Sequence, residues 1–143
     1  MDYSQNAVAL VNSSEGCVLH AYPDAGGWSI GWGTHADWVK EGMTCTQIQA
    51  DGWRNDKMKE IAGEISGMVK VPVNQNQFDA LVDFCYNLGS AALAGSTLLK
   101  FLNSGATLDA AVELPKWCND NHVMSHDLLM RRLRELRLFL TPA

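Results

Sequence analysis

Basic residues are scarce in this chain, with 11 Lys and Arg against 16 Asp and Glu and a formal net charge of −5. A broad basic face that would hold nucleic acid by its phosphates is therefore not expected. Long apolar runs are missing too. No stretch approaches the roughly 20 residues that a bilayer-crossing helix requires. The N-terminal apolar stretch spans only Ala7 to Val11 and has no basic leader, so neither stable membrane insertion nor a secretory signal is expected. The cysteines Cys17, Cys45, Cys85 and Cys118 contain no CxxC pair, and without an export signal free thiols are the expected state. Gly26-Gly27 is too short for a phosphate-binding loop and no Lys follows it. Cys118, His122 and His126 are four residues apart, but a fourth ligand is missing, so no metal and no cofactor is expected. Repeats and low-complexity linkers are also absent. What remains is 143 residues, 47% apolar, ordinary for a folded soluble domain and long enough to bury a core.

The pattern of apolar residues changes along the chain. Val8, Val11 and Glu15 fall on one face of a helix expected over 3–14. Two strand-like runs follow, Val18 to Tyr22 and Trp28 to Trp32, separated by the turn-rich Pro23-Asp24-Ala25-Gly26-Gly27. From Thr44 the period is helical, with Thr44 and Gln47 as a capping box and the helix running to about Ser66. Pro72 marks a break. Asn74 caps a helix whose Phe78, Leu81, Val82 and Cys85 share a face, and Asn87-Leu88-Gly89 stops it. Short helices are expected at 91–94, 96–103 and 107–114. Ser125 then caps a last helix with Leu129, Leu133, Leu136 and Leu140 facing inward and the Arg131 to Arg137 run on a solvated face. The layout predicts a mostly helical α+β fold.

Glu15 and Asp24 are the candidate chemical pair. Burial at a helix end penalises a charged carboxylate, which suits Glu15 to keep its proton as a general acid. Asp24, in a polar turn, is expected to stay ionised, and two carboxyl groups in such contrasting surroundings are what glycoside hydrolysis needs. On these residues alone a solvated Glu and an ordinary turn are the favoured explanation of the pattern. Tyr22, Trp28 and Trp32 are either core or a sugar-stacking wall.

The run from Glu15 to Thr34, EGCVLHAYPDAGGWSIGWGT, resembles the signature of phage-type lysozymes: a Glu-Gly pair, an aromatic-X-Asp and a Thr-Ile-Gly-aromatic-Gly element. The likeness continues in Gln77 to Val82, Phe84 to Gly89, Ser96 to Leu99, Lys116-Trp117, and Arg131-Arg132 with Glu135 and Phe139, in the family's order over roughly residues 6 to 139. The resemblance implies a two-lobed fold within one domain over 1–143. A β-containing lobe would occupy about 15–45, and a helical lobe would form from about 67–143 with the N-terminal helix.

It also implies a muramidase that hydrolyses the β-1,4 bond between N-acetylmuramic acid and N-acetylglucosamine. Glu15 would be the acid, Asp24 the second carboxylate and Ser29 the hydroxyl that helps hold water. Tyr22, Trp32 and Asn87 would be substrate contacts. Ser29 stands where the family has Thr, and the loop from Asp24 to it is one residue shorter. Thr34 precedes His35 where the family often has His directly, and His35 is expected to pack or hydrogen-bond. Asp127-Leu128 replaces a common Gly-Leu. Inversion is expected, with carboxyl groups roughly 6.5 to 9.5 Å apart. The implied setting is a monomeric endolysin of a phage or prophage, held in the host cytoplasm until released to the cell wall, with peptidoglycan glycan strands as partner. The acidic balance runs against attraction to an anionic wall. The alternatives are a catalytically silent wall-binding or virion module and a lytic transglycosylase.

Overall fold

The first helix starts where the Ser4 hydroxyl accepts a hydrogen bond from the Asn6 amide, and it ends at Gly16, whose φ of 65° suits glycine. The computed structural model describes residues 1–143. This helix, α1 (Gln5–Glu15), leads into an antiparallel sheet of β1 (Val18–Asp24), β2 (Gly27–Gly31) and β3 (Thr34–His35). The strands reach further than their apolar pattern suggests. Asp24 pairs with Gly27, so the connection is only Ala25-Gly26, with φ of 46° and 77°. Two successive positive φ values make the tight primed turn that matches strand twist.

The helices follow as α2 (Gln47–Met68), α3 (Gln75–Leu88), α4 (Ser90–Ala94), α5 (Thr97–Asn103), α6 (Thr107–Glu113) and α7 (His126–Phe139), with a short ribbon of β4 (Asn119–Asp120) and β5 (Val123–Met124) before α7. The capping box of α2 is Thr46 with Gln49, not Thr44 with Gln47. The sequence carries the same Thr-x-x-Gln pattern twice in offset register, and Thr44 is drawn into a β-bridge with His20. Asn74 and Gln77 form the capping box of α3, and Gly89 ends it with φ 89°.

The main core lies among the helices, where Val11, Met58, Ile61, Ile65, Phe78, Leu81, Phe84, Leu98, Leu102, Leu114 and Phe139 pack together. The first half of α2 packs instead on the sheet, where a Cβ at Gly31 would meet Ala50 at 3.0 Å. One helix thus belongs to both lobes and fixes the furrow between them.

The last helix departs most from expectation. Its buried residues are Arg131, Arg132, Glu135 and Phe139, whereas Leu133 and Leu140 are 39% and 51% exposed. The leucine spacing is genuine, but the helix is rotated so that a charged stripe faces in. Arg131 and Arg132 are therefore not part of a solvated face, while Arg137 stays exposed. Charges enter an interior only with partners: Arg131 finds Asp83 and Glu15 on other helices, and Arg132 finds Asn87 on α3 and Glu135 one turn along α7.

Candidate active site

Glu15 is the last residue of α1, with its side chain 21% exposed. Its immediate partner is ionic: Arg131 Nη1 donates to Glu15 Oε1 at 2.6 Å. The apolar helix face expected around Glu15 is thus completed by a cation from α7. The other oxygen, Oε2, lies against Gly33. A Cβ built there would come within 2.6 Å of it, and Gly33 has φ 79°. Glycine is required at this point on both counts.

Arg131 is held in turn by Asp83 of α3. Its Nε donates to Asp83 Oδ2 at 3.0 Å and its Nη2 to Oδ1 at 2.8 Å, a two-point contact between buried groups. Burial works against the arginine's charge, but Asp83 and Glu15 more than offset it and raise its pKa. Asp83 already balances that charge, so Glu15 meets a neutralised ion pair.

The network continues through the fully buried Glu135. Burial, then the neighbouring Asp83, raises this carboxyl well above the ordinary carboxylate range, with Arg132 pulling the other way. Glu135 Oε1 accepts from Arg132 at 2.7 Å, while Oε2 receives no donor. An acceptor left empty in the interior is costly. A protonated Oε2 donating to Asp83 resolves it.

Across the sheet, Ser29 is fully buried. Its hydroxyl donates to Asp24 Oδ2 at 2.8 Å and lies 3.0 Å from His35 Nδ1. A hydroxyl has one hydrogen. With that hydrogen on Asp24, His35 must present Nδ1–H to the serine oxygen. The three side chains form a line in which Ser29 fixes Asp24, and Asp24 Oδ1 stays open at the exposed end of β1. Ser29 is buried behind Asp24, in the position of a brace. Tyr22 lies opposite Ser29 across the strands. Burial, then the charges of Asp24 and Glu15, raise its phenol pKa, so Tyr22 sits within the field of both carboxylates.

The furrow between the lobes encloses about 470 Å³ and is lined by Gly33, Thr34, His35, Trp38, Trp53, Asp56, Lys57, Glu60 and Tyr86. Glu15 is not itself a lining residue; it adjoins the furrow through Gly33, whose backbone its Oε2 touches. Tyr86 closes the floor, its hydroxyl donating to the Trp32 carbonyl at 2.6 Å.

Two of the expected contact residues are engaged elsewhere. The Trp32 indole donates to Asp51 Oδ1 at 2.7 Å and lies under Arg54. Asn87 Oδ1 accepts from Arg132 Nη2 at 2.9 Å. The furrow's aromatic side chains are instead Trp38, Trp53 and Tyr86. A signal for part of this was available in the spacing of Trp53, Asp56, Lys57 and Glu60, which puts them on one helical stripe. No group of three or more His, Cys, Asp or Glu side chains is arranged to hold a metal ion, and all four cysteines are free thiols.

Comparison with known proteins agrees with this architecture. The phage lysozyme family matches residues 12–135. The endolysin of Bacillus phage PZA is 37% identical over 97% of the chain, which spans 55% of that relative's length. The endolysin of Salmonella phage P22 is 36% identical, with 99% of both proteins covered. Among solved structures, the muramidase domain of SpmX from Asticaccaulis excentricus superposes with a TM-score of 0.91 at 35% identity over 99% of each chain. The shared sequence and the two-lobed fold agree: this chain belongs to the phage lysozyme family.

Proposed function

We propose that the chain is a peptidoglycan hydrolase of the endolysin kind, cleaving the β-1,4 bond between N-acetylmuramic acid and N-acetylglucosamine. The observation that carries this reading is the division of labour at Glu15. Arg131 occupies Oε1, leaving Oε2 beside Gly33 at the furrow wall. A protonated Glu15 keeps its bond from Arg131 through a carbonyl Oε1 and carries its hydrogen on Oε2, turned toward a bound glycan.

In this reading Glu15 Oε2–H protonates the glycosidic oxygen as its bond to the anomeric carbon breaks. Water attacks that carbon from the opposite side and gives its proton to Asp24 Oδ1. Ser29 does not touch the water; it holds Asp24 still. An Asp that acts on water, and not on carbon, produces inversion. Tyr22 is proposed to line the site between the two carboxylates. Trp32 and Asn87 are proposed to support it from behind, one against α2 and one against Arg132. The chain would accumulate on the inner side of the host membrane and act on the wall after release. The names of the P22 and PZA relatives support this setting.

The test is Glu15→Gln, measured by clearing of outer-membrane-stripped cells. Loss of at least about 100-fold with unchanged thermal unfolding is expected for a general acid, and clearing at the parent's rate would overturn the reading. Mass spectrometry of the released fragments identifies the products. Reducing ends mean hydrolysis and anhydro ends mean transglycosylation. Proton NMR of the first anomer formed decides inversion.

A further inference from the structure

The line from Asp24 through Ser29 ends on a residue to which the proposed reaction gives no task. His35 of β3 stands directly across from Ser29 of β2, and its Nδ1 lies 3.0 Å from the serine oxygen. Successive side chains of a strand point to opposite faces. A histidine one place earlier, at 34, would therefore share the other face with the fully buried Ile30. The far edge of the His35 ring lies over Gly27, where a Cβ would come within 3.0 Å of Cε1 and 3.3 Å of Nε2. Gly27 pairs with Asp24 across the hairpin, so its missing side chain is what admits the imidazole beside the Asp24 turn.

One serine hydrogen has two neighbours to serve. Ser29 Oγ stands 2.8 Å from Asp24 Oδ2, and a hydroxyl can donate only once. With the ring hydrogen of His35 on Nδ1, the serine accepts from the ring and donates to the carboxylate. With that hydrogen on Nε2, Nδ1 becomes an acceptor and draws the serine hydrogen to itself. Two oxygens then face each other at 2.8 Å with nothing between them, unless Asp24 is protonated and unable to take a proton from water. Ser29 also lacks the branched Cβ that stiffens a threonine, so its hydroxyl takes its direction from its partners. Only the Nδ1–H ring leaves Asp24 both braced and ionised.

We propose that His35 is a positioning residue for the reaction: its Nδ1–H sets the direction of the Ser29 hydroxyl and thereby holds Asp24 ready to accept the proton of the attacking water. This rests on the reading of Asp24 as the base and names the residue on which its brace depends.

Two measurements test it. In the unsubstituted protein, long-range proton–nitrogen NMR of the neutral His35 ring reads which nitrogen bears the hydrogen. Nδ1–H is expected, and an Nε2–H ring overturns the proposal. The second compares His35→Asn with His35→Leu, two side chains of nearly equal shape. The asparagine amide puts an N–H where Nδ1 stands, and leucine puts a methyl group there. The clearing rate at saturating wall should stay within about threefold of the parent's in His35→Asn and fall at least about tenfold in His35→Leu, a part of what a general base supplies. The half-saturating amount of wall should change little in either. A carboxylate that loses a donor keeps its proton to higher pH, so the acid limb of the rate profile should move upward in His35→Leu and less in His35→Asn. The other titratable groups around this line are Tyr22 and Glu15 beside Asp24, and Asp56, Lys57, Glu60 and Tyr86 along the furrow. All are common to the three proteins. Equal rates and equal limbs in the two variants overturn the role of His35. If His35→Leu is misfolded by circular dichroism, the ring hydrogen in the unsubstituted protein decides alone. An unsubstituted protein that never clears walls loses the reaction, whereas one that clears no faster than His35→Leu loses only the part given to His35.

Discussion

Arg131 of the last helix reaches Glu15 of the first at 2.6 Å, 116 residues away in the chain. The same guanidinium is clamped by Asp83, so one cation sets the position of the proposed acid and neutralises a buried aspartate. Substituting it separates the two duties. Arg131→Ala leaves Asp83 buried without its partner and is expected to cost about 3–5 kcal/mol, read as a large drop in Tm. Arg131→Lys keeps the charge but cannot form the two-point contact together with the bond to Glu15. It should recover much of the stability and little of the wall-clearing activity.

Gly33→Ala tests the contact from the other side. The added Cβ would lie 2.6 Å from Glu15 Oε2 on a backbone with φ 79°. The strain is worth about 1–3 kcal/mol, and Glu15 must swing away. Clearing activity should fall by more than tenfold while the variant still unfolds cooperatively. Activity equal to the parent's would mean that Oε2 does not work from beside Gly33.

Glu135 predicts a pH dependence of stability. Its folded-state carboxyl holds a proton to a higher pH than in the unfolded chain. The native state therefore binds more protons across that window, and stability falls as pH rises through it. The window opens near the ordinary Glu value of about 4.3. Glu135→Gln supplies a permanently neutral donor toward Asp83. The difference between its Tm-against-pH curve and the parent's should widen in favour of the variant as pH rises. A constant difference would remove the shared proton.

The rotation of α7 is tested by two apolar substitutions. Phe139 is buried in the core, and Phe139→Ala should cost about 3–5 kcal/mol. Leu133, on the outer side, should tolerate Leu133→Gln within about 0.5 kcal/mol. The leucine periodicity taken alone predicts a large loss for Leu133 as well, so thermal melts of the two variants discriminate directly.

Most of the helices could be placed from local chemistry. Asn74, Ser125 and Gly89 act at the helix ends where the sequence puts them, because a cap is a contact between residues three or four apart and needs no tertiary information. Thr46 was missed because an identical pattern begins two residues earlier at Thr44, and the choice between them depends on His20 pairing with Thr44 in the sheet.

The sequence by itself determined most of the helix ends, the turn region that bears Asp24, and the motif that puts Glu15 at the end of α1, since each depends on neighbours in the chain. Tertiary structure alone decided which face of α7 turns inward, that Arg131 meets Glu15, and that Trp38 and Trp53, not Trp32, line the furrow. Apolar spacing assumes that charge stays in water. That assumption fails when Asp83 of α3 is already buried and offers Arg131 a partner that only the fold brings within reach.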